Sequence, residues 1–493
     1  MKELLTELSS LSDVVSGSRE EYFVISKLRE FFERLNVHAI LAAVDVMSWR
    51  DVYCSVNGIQ CKSLPPTRSC EVGGLLTDDL RDCDGKILVT STTEFPDNVW
   101  VIYNLAVERG ANAVIFYDAY PSRHRRIVIT GVWSYSLGEG GFPPIPAAHL
   151  RLEDGARLRN LIGSYVDLRC ITETKLSTGY NVEAFIGGRK EREILITAHH
   201  DRWFTGFRDD LVGLYALLKL THRTLHTQTP KYTLRLVSFT AEEFGNPKLS
   251  PWYWSYGSRE YASTSKLDNV EFVVNLDTAC MEPVRVNATG PEIGKYFVRH
   301  STINYIYEGF DHPYSDGLTF SSRGIPVTTL QNLRDIDDIY HTDLDTFFDV
   351  ESFTDGVTSW ILNAVNNYDV DKLEFKEYYE VLKSSLPHEL KSFIDKILAT
   401  SDPLVMSKIF REISKELVKP VILGSYRDLN KDLITLLAPH ALIINNLRRG
   451  IKSELRIAGS EEELCCSTLD DNEAIHKYMS YLNDVLAKSI SIK

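Results

Sequence analysis

YTLRLVSFTAEEFG, residues 232–245, joins two unlike halves. The first has the β-branched and aromatic alternation of a strand entering a core. The second closes that strand on two adjacent carboxylates, Glu242 and Glu243. Like charges side by side repel, and both lose hydration if the strand end is enclosed. A solvated strand end tolerates them. An enclosed one requires positive charge between them, from a metal ion or a reacting group, so the neighbouring strands decide.

Outward from this stretch, strand-like runs alternate with helical ones. YNVEAFIG (180–187) and REILITAHHD (192–201) read as paired strands, and DLVGLYALLKLTHRTL (210–225) as an amphipathic helix. VEFVVNLD (270–277) and IPVTTLQN (325–332) read as further buried strands. Near-continuous apolar strands alternating with helices predict an α/β fold with a mostly parallel, mixed sheet flanked by helices on both faces. In such sheets, ligands bind beyond the carboxyl ends of the strands.

Those ends carry the polar residues. One strand finishes in His199, His200 and Asp201, and Asp209 and Asp210 precede the helix. Glu242 and Glu243 close the second strand, Asp277 the third, and DDIYHTDLDT brings Tyr340, His341, Asp343 and Asp345. Each alone has a structural explanation, as a capping residue, a core histidine or a solvated loop. Five elements delivering imidazoles and carboxylates to one sheet edge point to a bound cation. Histidine and carboxylate donors without thiolates favour zinc, with manganese or cobalt as substitutes.

The set TAHHD, GFRDDLVG, FTAEEFG with YGSREY, NLD, YSD and DIYHTDLDT resembles the dizinc aminopeptidase family in order and spacing over roughly 178–350. That family includes bacterial leucyl aminopeptidases and aminopeptidase S, with glutamate carboxypeptidases and transferrin receptors as relatives. The resemblance implies that His199 and Asp277 bind one zinc, Glu243 and His341 the other, and that Asp209 bridges them, with the peptide bond after it cis. It implies Glu242 as general base, with strand alternation sending it and Glu243 to different tasks, and Tyr340 as a stabiliser of the tetrahedral oxyanion. The family's His-x-Asp pattern selects His199 over His200 and gives Asp201 the task of orienting the imidazole; Asp316 is expected to orient His341. The implied activity is an exopeptidase, with an aminopeptidase acting on peptides favoured over a carboxypeptidase or dipeptidase, and an inactive receptor-like relative as the remaining alternative. Against the family's small residues, Phe207 and Arg208 flank Asp209. Trp203, Phe204 and the Trp252–Tyr256 cluster read as core packing or as pocket lining.

The rest of the chain suggests further domains. SGSREE (16–21) opens a helix with Ser18 and Glu21 as a capping box. GKILV, AVERGANAVIFYD and IPAAHLRLEDGARL, within 85–158, resemble an inserted protease-associated α/β domain. The expected division is 1–62 as the first part of the peptidase domain, 63–175 as the insert, 176–368 as the main peptidase domain and 369–493 as a helical segment without strands. That segment reads equally as a cap or as a homo-oligomer interface.

Composition narrows the partners. A formal charge of −14 over 493 residues argues against nucleic acid, which needs a basic face. No apolar run approaches the roughly 20 residues of a membrane span; the greasiest, LITLLAPHALIINNL (433–447), holds Pro439 and His440. MKELLTELSSLSD shows no apolar leader core, so a cytoplasmic location is expected. The eight cysteines form no CxxC pair and read as reduced thiols.

Overall fold

The computed structural model describes residues 1–92, 97–129, 142–227, 229–246, 254–311, 315–321, 323–385, 388–399 and 402–417, with short pieces at 421–423, 455–457, 480, 483–484 and 486–488. Helices α1 (Lys2–Ser9) and α2 (Arg19–Arg34) precede a long strand, β1 (Ala39–Val56), and two short ones, β2 (Ile59–Gln60) and β3 (Lys62–Ser63). A smaller α/β lobe follows, with β4 (Cys70–Thr77), β5 (Ile87–Ser91), α3 (Asp97–Glu108), β6 (Ala113–Tyr117), β7 (Ala147–Leu150) and α4 (Leu152–Arg159). The second long strand, β8 (Tyr165–Ile186), leads into the larger lobe through β9 (Lys190–His199), α5 (Val212–His226), β10 (Tyr232–Phe239), α6 (Tyr256–Thr264) and β11 (Val270–Leu276). There follow β12 (Val284–Ala288), α7 (Pro291–Val298), β13 (Tyr305–Phe310), α8 (Gly317–Ser321), β14 (Val327–Gln331) and α9 (Glu351–Asn367). Helices α10 (Phe375–Ser385), α11 (Lys391–Leu398) and α12 (Pro403–Leu417) come next, then β15 (Val421–Leu423) and β16 (Leu455–Ile457).

Four parallel strands, in the order β10–β9–β11–β14, form the centre of the larger lobe. Antiparallel β8 and then β1 extend one side, and β12, antiparallel to β14, extends the other. The last six residues of β9, Ile194–His199, are all buried, as a central parallel strand covered on both faces requires. The two strands expected to pair with each other do not: β10 lies between β8 and β9. Gly188 permits this crossing, because a Cβ there would stand 2.2 Å from the Tyr232 carbonyl carbon at the start of β10.

In the smaller lobe, β4–β5–β6–β7 run parallel, with one hydrophobic cluster around Ile87 and Leu168 and another around Tyr103 and Phe116. β1 and β8 pair from Ala39↔Ala184 to Val56↔Leu168 and carry the sheet from one lobe to the other. The expected boundary at 175/176 therefore falls inside an unbroken strand.

Two further expectations need correction. Cys54 and Cys61 form a disulfide, with Cα atoms 4.9 Å apart. The cause is a tight hairpin: Asn57 and Gly58 both take positive φ, which pairs Val56 with Ile59 and sets Cys54 opposite Cys61. Among the described residues of 369–417, Tyr378, Leu382, Ile394, Ile409 and Phe410 pack into the cluster that also holds residues of α1, α2, α5 and α9. The strand-free expectation fails at β15 and β16, which pair antiparallel through Val421–Leu423 and Leu455–Ile457. Residues 433–447, Cys465, Cys466 and His312 lie outside the described residues. Among the described residues no helix is long and apolar enough to cross a membrane.

Ser18 caps α2 by accepting the Glu21 N–H (3.1 Å), but the reciprocal half of the capping box is absent. The Glu21 carboxylate instead accepts the Gly17 N–H (2.6 Å) and reaches His200 Nε2 (3.2 Å) and the Thr240 hydroxyl, fully buried. The first helix is thereby tied to the ends of β9 and β10.

Candidate metal centre

β10, β9 and β11 are adjacent, so their carboxyl ends bring residues 240–243, 199–201 and 277–278 together. Tight turns do the aiming. Ala241, Thr278 and His341 hold φ of 55°, 58° and 58°, a left-handed conformation costing about 1–2 kcal/mol for a non-glycine residue. β10 ends at Phe239, so Glu242 and Glu243 lie in a turn rather than on extended backbone. Their divergence thus comes from the turn, not from strand alternation. The Asp201 carboxylate fixes that turn: Oδ1 accepts the Glu242 N–H (3.0 Å) and Oδ2 the Glu243 N–H (3.1 Å).

This also corrects how His199 is held. Its Nδ1 lies 2.9 Å from the Asp201 backbone oxygen and 3.9 Å from the Asp201 carboxylate. A carbonyl only accepts, so Nδ1 carries the proton and Nε2 turns towards Asp209. Asp209 is the pivot: Oδ1 is 3.1 Å from His199 Nε2 and Oδ2 is 3.1 Å from His341 Nε2. His341 Nε2 is also 2.9 Å from Glu243 Oε2. Ligand atoms of His199, Asp209 and Asp277 lie within 4.8 Å of one another, as do those of Asp209, Glu243 and His341. Two triads therefore share one carboxylate. Glu242 belongs to neither; it stands beside them, and the Ser255 hydroxyl donates to its Oε1 (3.1 Å).

The donor set fits a divalent cation. Burial, with Asp209 and Asp316 adding to it, holds the Asp277 carboxyl well above the ordinary value, although His199 opposes the shift. Burial also raises Glu242 strongly, opposed by His199 and reinforced by Asp277 and Asp316. Glu243 is pushed up to about 7, by burial first. At Asp209 burial pushes upward too, but the hydrogen bonds from His199 and His341 win and lower it. Burial lowers His341, yet Glu243 and Asp209 bring it up to about 9. Glu243 Oε1 is buried with no hydrogen-bond partner among the described residues. Excess buried negative charge with an orphaned oxygen is what imidazole–carboxylate ligands present to a divalent metal, and the imidazoles among the donors suit zinc.

Neighbouring residues hold the frame. The Asp210 carboxylate accepts the His199 N–H (3.3 Å) and the Thr278 N–H (3.2 Å), joining two strand ends. Gly213 makes room for it, since a Cβ there would lie 2.2 Å from Asp210 Oδ1. The Asp209–Asp210 peptide is cis. Asp345 accepts from the Arg208 backbone (2.9 Å) and pairs with its guanidinium (2.8 Å), while Phe207 packs on Phe347 and Phe348. His200 faces Ser238 (2.8 Å) and Glu21 (3.2 Å), away from the triads. Tyr340 stacks on His341, with ring centroids 3.8 Å apart, and burial and nearby carboxylates keep its hydroxyl protonated. Asp316 does not orient His341; it sits on the Glu242 side, beside Ser258 and Ser255. Trp203 and Phe204 are buried with Trp49, Met47 and Phe244, so they are core packing; Trp254 packs on that cluster, and 252–253 lie outside the described residues.

The sequence reading missed the contribution of the smaller lobe. Arg125, 2% exposed, pairs with the buried Asp118 (3.0 Å) and donates to the backbone oxygens of Asp337 (3.0 Å), Tyr340 (2.6 Å) and Asp338 (3.3 Å). The Arg126 N–H donates to the His341 oxygen (2.9 Å), and Asp343 accepts the His124 N–H (2.9 Å). Residues 124–126 thus clamp the loop carrying Tyr340 and His341. RHRR (123–126) was the available signal: a basic run with more cations than Asp118, the nearby carboxylate, can pair.

A mixed sheet with this layering, and with imidazoles and carboxylates gathered at its carboxyl edge, is the zinc-aminopeptidase type of fold. Residues 181–364 match the model of Peptidase family M28, and over this region the chain is similar to the dizinc aminopeptidase and glutamate carboxypeptidase superfamily. Carboxypeptidase Q of Homo sapiens is 27% identical over 274 residues, covering 50% of this chain and 53% of that protein. Carboxypeptidase Q of Xenopus laevis is 27% identical over 232 residues, covering 43% and 46%. The chain thus spans about half the length of the curated relatives it matches. Among solved structures, the zinc aminopeptidase BSAP from Bacillus subtilis aligns with a TM-score of 0.58 at 17% identity, over 75% of this chain and 96% of that one. An aminopeptidase from Aneurinibacillus sp. aligns with a TM-score of 0.53 at 20% identity, over 74% and 93%. These last two are likenesses of fold.

Proposed function

We propose that the protein is a metal-dependent aminopeptidase with two zinc ions, one held by His199, Asp209 and Asp277 and the other by Asp209, Glu243 and His341. The supporting observation is the pair of triads sharing Asp209, with a further carboxylate, Glu242, beside them and in neither. Bound there, such ions supply Lewis-acid polarisation of a carbonyl and lower the pKa of water.

The chain's own residues supply the proton traffic. Ser255 occupies Oε1 of Glu242, leaving Oε2 to take a proton from the attacking water and return it to the leaving amine. Burial and the carboxylates around Glu242 raise its basicity, which suits a proton acceptor. Asp201 positions both glutamates through their amides, and the Tyr340 hydroxyl, kept protonated, is a donor for a developing oxyanion. The surplus of acidic groups, Asp316 among them, suits a substrate's amino end.

The similarity to Carboxypeptidase Q favours a second reading, a carboxypeptidase or dipeptidase on the same centre. Hydrolysis of aminoacyl-anilides compared with their N-acetylated forms separates the two. The aminopeptidase reading expects the blocked substrates to be inert; equal rates on both refute it, and cleavage confined to peptides with a free carboxyl end selects the alternative.

A further inference from the structure

Sulfur atoms gather away from the metal centre, in the smaller lobe. β8 lies between β1 and β4, and Cys170 stands directly opposite Cys54 on one side and Cys70 on the other. Opposite residues in an antiparallel ladder point to the same face. Cys54, Cys170 and Cys70 therefore form a row across three strands. Cys54, Cys61 and Cys170 are buried in one hydrophobic cluster, and Cys70 packs against it, partly exposed.

Cys54 is already joined to Cys61, which leaves Cys170 and Cys70 as facing thiols. Opposite positions of an antiparallel pair have Cα atoms roughly 4.5–5.5 Å apart. That lies inside the roughly 4.4–6.8 Å a disulfide spans, so the backbone need not move. Cys83 and Cys280 are buried thiols with no cysteine opposite them in the described strand pairs.

We propose that Cys70 and Cys170 are a redox-reactive pair, oxidised to a second cystine by a low-molecular-weight disulfide such as oxidised glutathione. Cys70 is the entry point, being the exposed member; the adjacent Cys170 also holds its thiol below the ordinary value, whereas Cys170 beside it is raised. The Cys70 thiolate attacks one sulfur of the small disulfide. Its S–S bond breaks, a mixed disulfide forms on Cys70, and one small thiolate leaves with the proton Cys70 gave up. Cys170 then loses its proton and attacks the Cys70 sulfur, releasing the second small thiol. Two protein thiols are oxidised and one small disulfide is reduced to two thiols. The new bond closes the segment 70–170, which holds β4 to β7 and the Arg125 clamp, at its base on β8.

The test is peptide mapping without reduction. The full chain is equilibrated with oxidised glutathione, and remaining thiols are alkylated with iodoacetamide. The expected result is a Cys70–Cys170 linked peptide, an unchanged Cys54–Cys61 link, and a drop of about tenfold in alkylation of Cys70. Cys70→Ser removes the linked peptide and keeps Cys54–Cys61; this partly exposed position carries the test should a Cys170 variant not fold. Separate alkylation of Cys70 and Cys170 in excess oxidant overturns the proposal. So does arrest at a Cys70 mixed disulfide, or a Cys54–Cys170 link with Cys61 set free.

Discussion

Replacing Asp201 by asparagine tests how the two glutamates are aimed. Each Asp201 oxygen accepts one amide, from Glu242 at 3.0 Å and Glu243 at 3.1 Å. Asparagine keeps one acceptor and turns an amino group towards the other N–H. One charge-assisted bond is lost and a buried donor is left unmet, a cost of about 2–4 kcal/mol. A partial offset lowers this, because burial already raises the Asp201 carboxyl above its ordinary value and a neutral side chain escapes that desolvation. The loss should therefore fall near 2 kcal/mol, a large share of an ordinary stability of about 5–15 kcal/mol. The assay is urea unfolding of metal-free protein, with kcat/KM measured alongside; a turn misplaced by about 1 Å costs on the order of 100-fold in rate. The His199 ring should stay in place, since it is the backbone oxygen of residue 201 that accepts its proton. Stability within about 0.5 kcal/mol of the parent, together with undiminished kcat/KM, would refute the reasoning.

Other perturbations separate the parts of the account. Arg125→Met leaves Asp118 buried and releases the loop around His341; it should destabilise by about 3–5 kcal/mol and weaken zinc binding, read by denaturation and a zinc-competition titration. Glu242→Gln should retain the metal and lose turnover by about 100-fold or more, checked by kcat and metal analysis of the same sample; loss of a metal would mean that the two glutamates have exchanged roles. The Glu292 carboxylate is buried and meets no other side chain's hydrogen bond among the described residues, and burial raises it to about 8 against the pull of the Glu292 and Ile293 amides. Its folded value exceeds its unfolded one, so stability is full below about pH 4.5 and declines as pH rises towards about 8. Glu292→Gln should flatten that decline and gain up to about 3 kcal/mol at pH 7, measured by urea midpoints at several pH values.

The central sheet was legible because buried parallel strands write their own pattern. IVLF-rich runs such as Ile194–Ile196 and Val270–Val274 need burial on both faces, and their polar endings then stand out. What the sequence concealed depends on geometry between distant segments. Nothing in His-x-Asp spacing tells a backbone oxygen from a carboxylate, so the partner of His199 was misread. Nothing local to Arg125 shows that, besides nearby Asp118, it donates to backbone oxygens more than two hundred residues away. The order β8–β10–β9 turned on close backbone approach at Gly188, which a strand pattern cannot convey. The Cys54–Cys61 bond was readable in principle, since Asn57–Gly58 is a hairpin signal that fixes their register.

The account rests on two metal sites sharing Asp209, and zinc stoichiometry examines that most directly. Metal-free protein is titrated with zinc while bound metal is counted per chain, for the parent and for Asp209→Ser. Two equivalents in the parent, with both weakened together in the variant, is the predicted result. One equivalent in the parent, or a variant that still binds two with unchanged affinity, would contradict it.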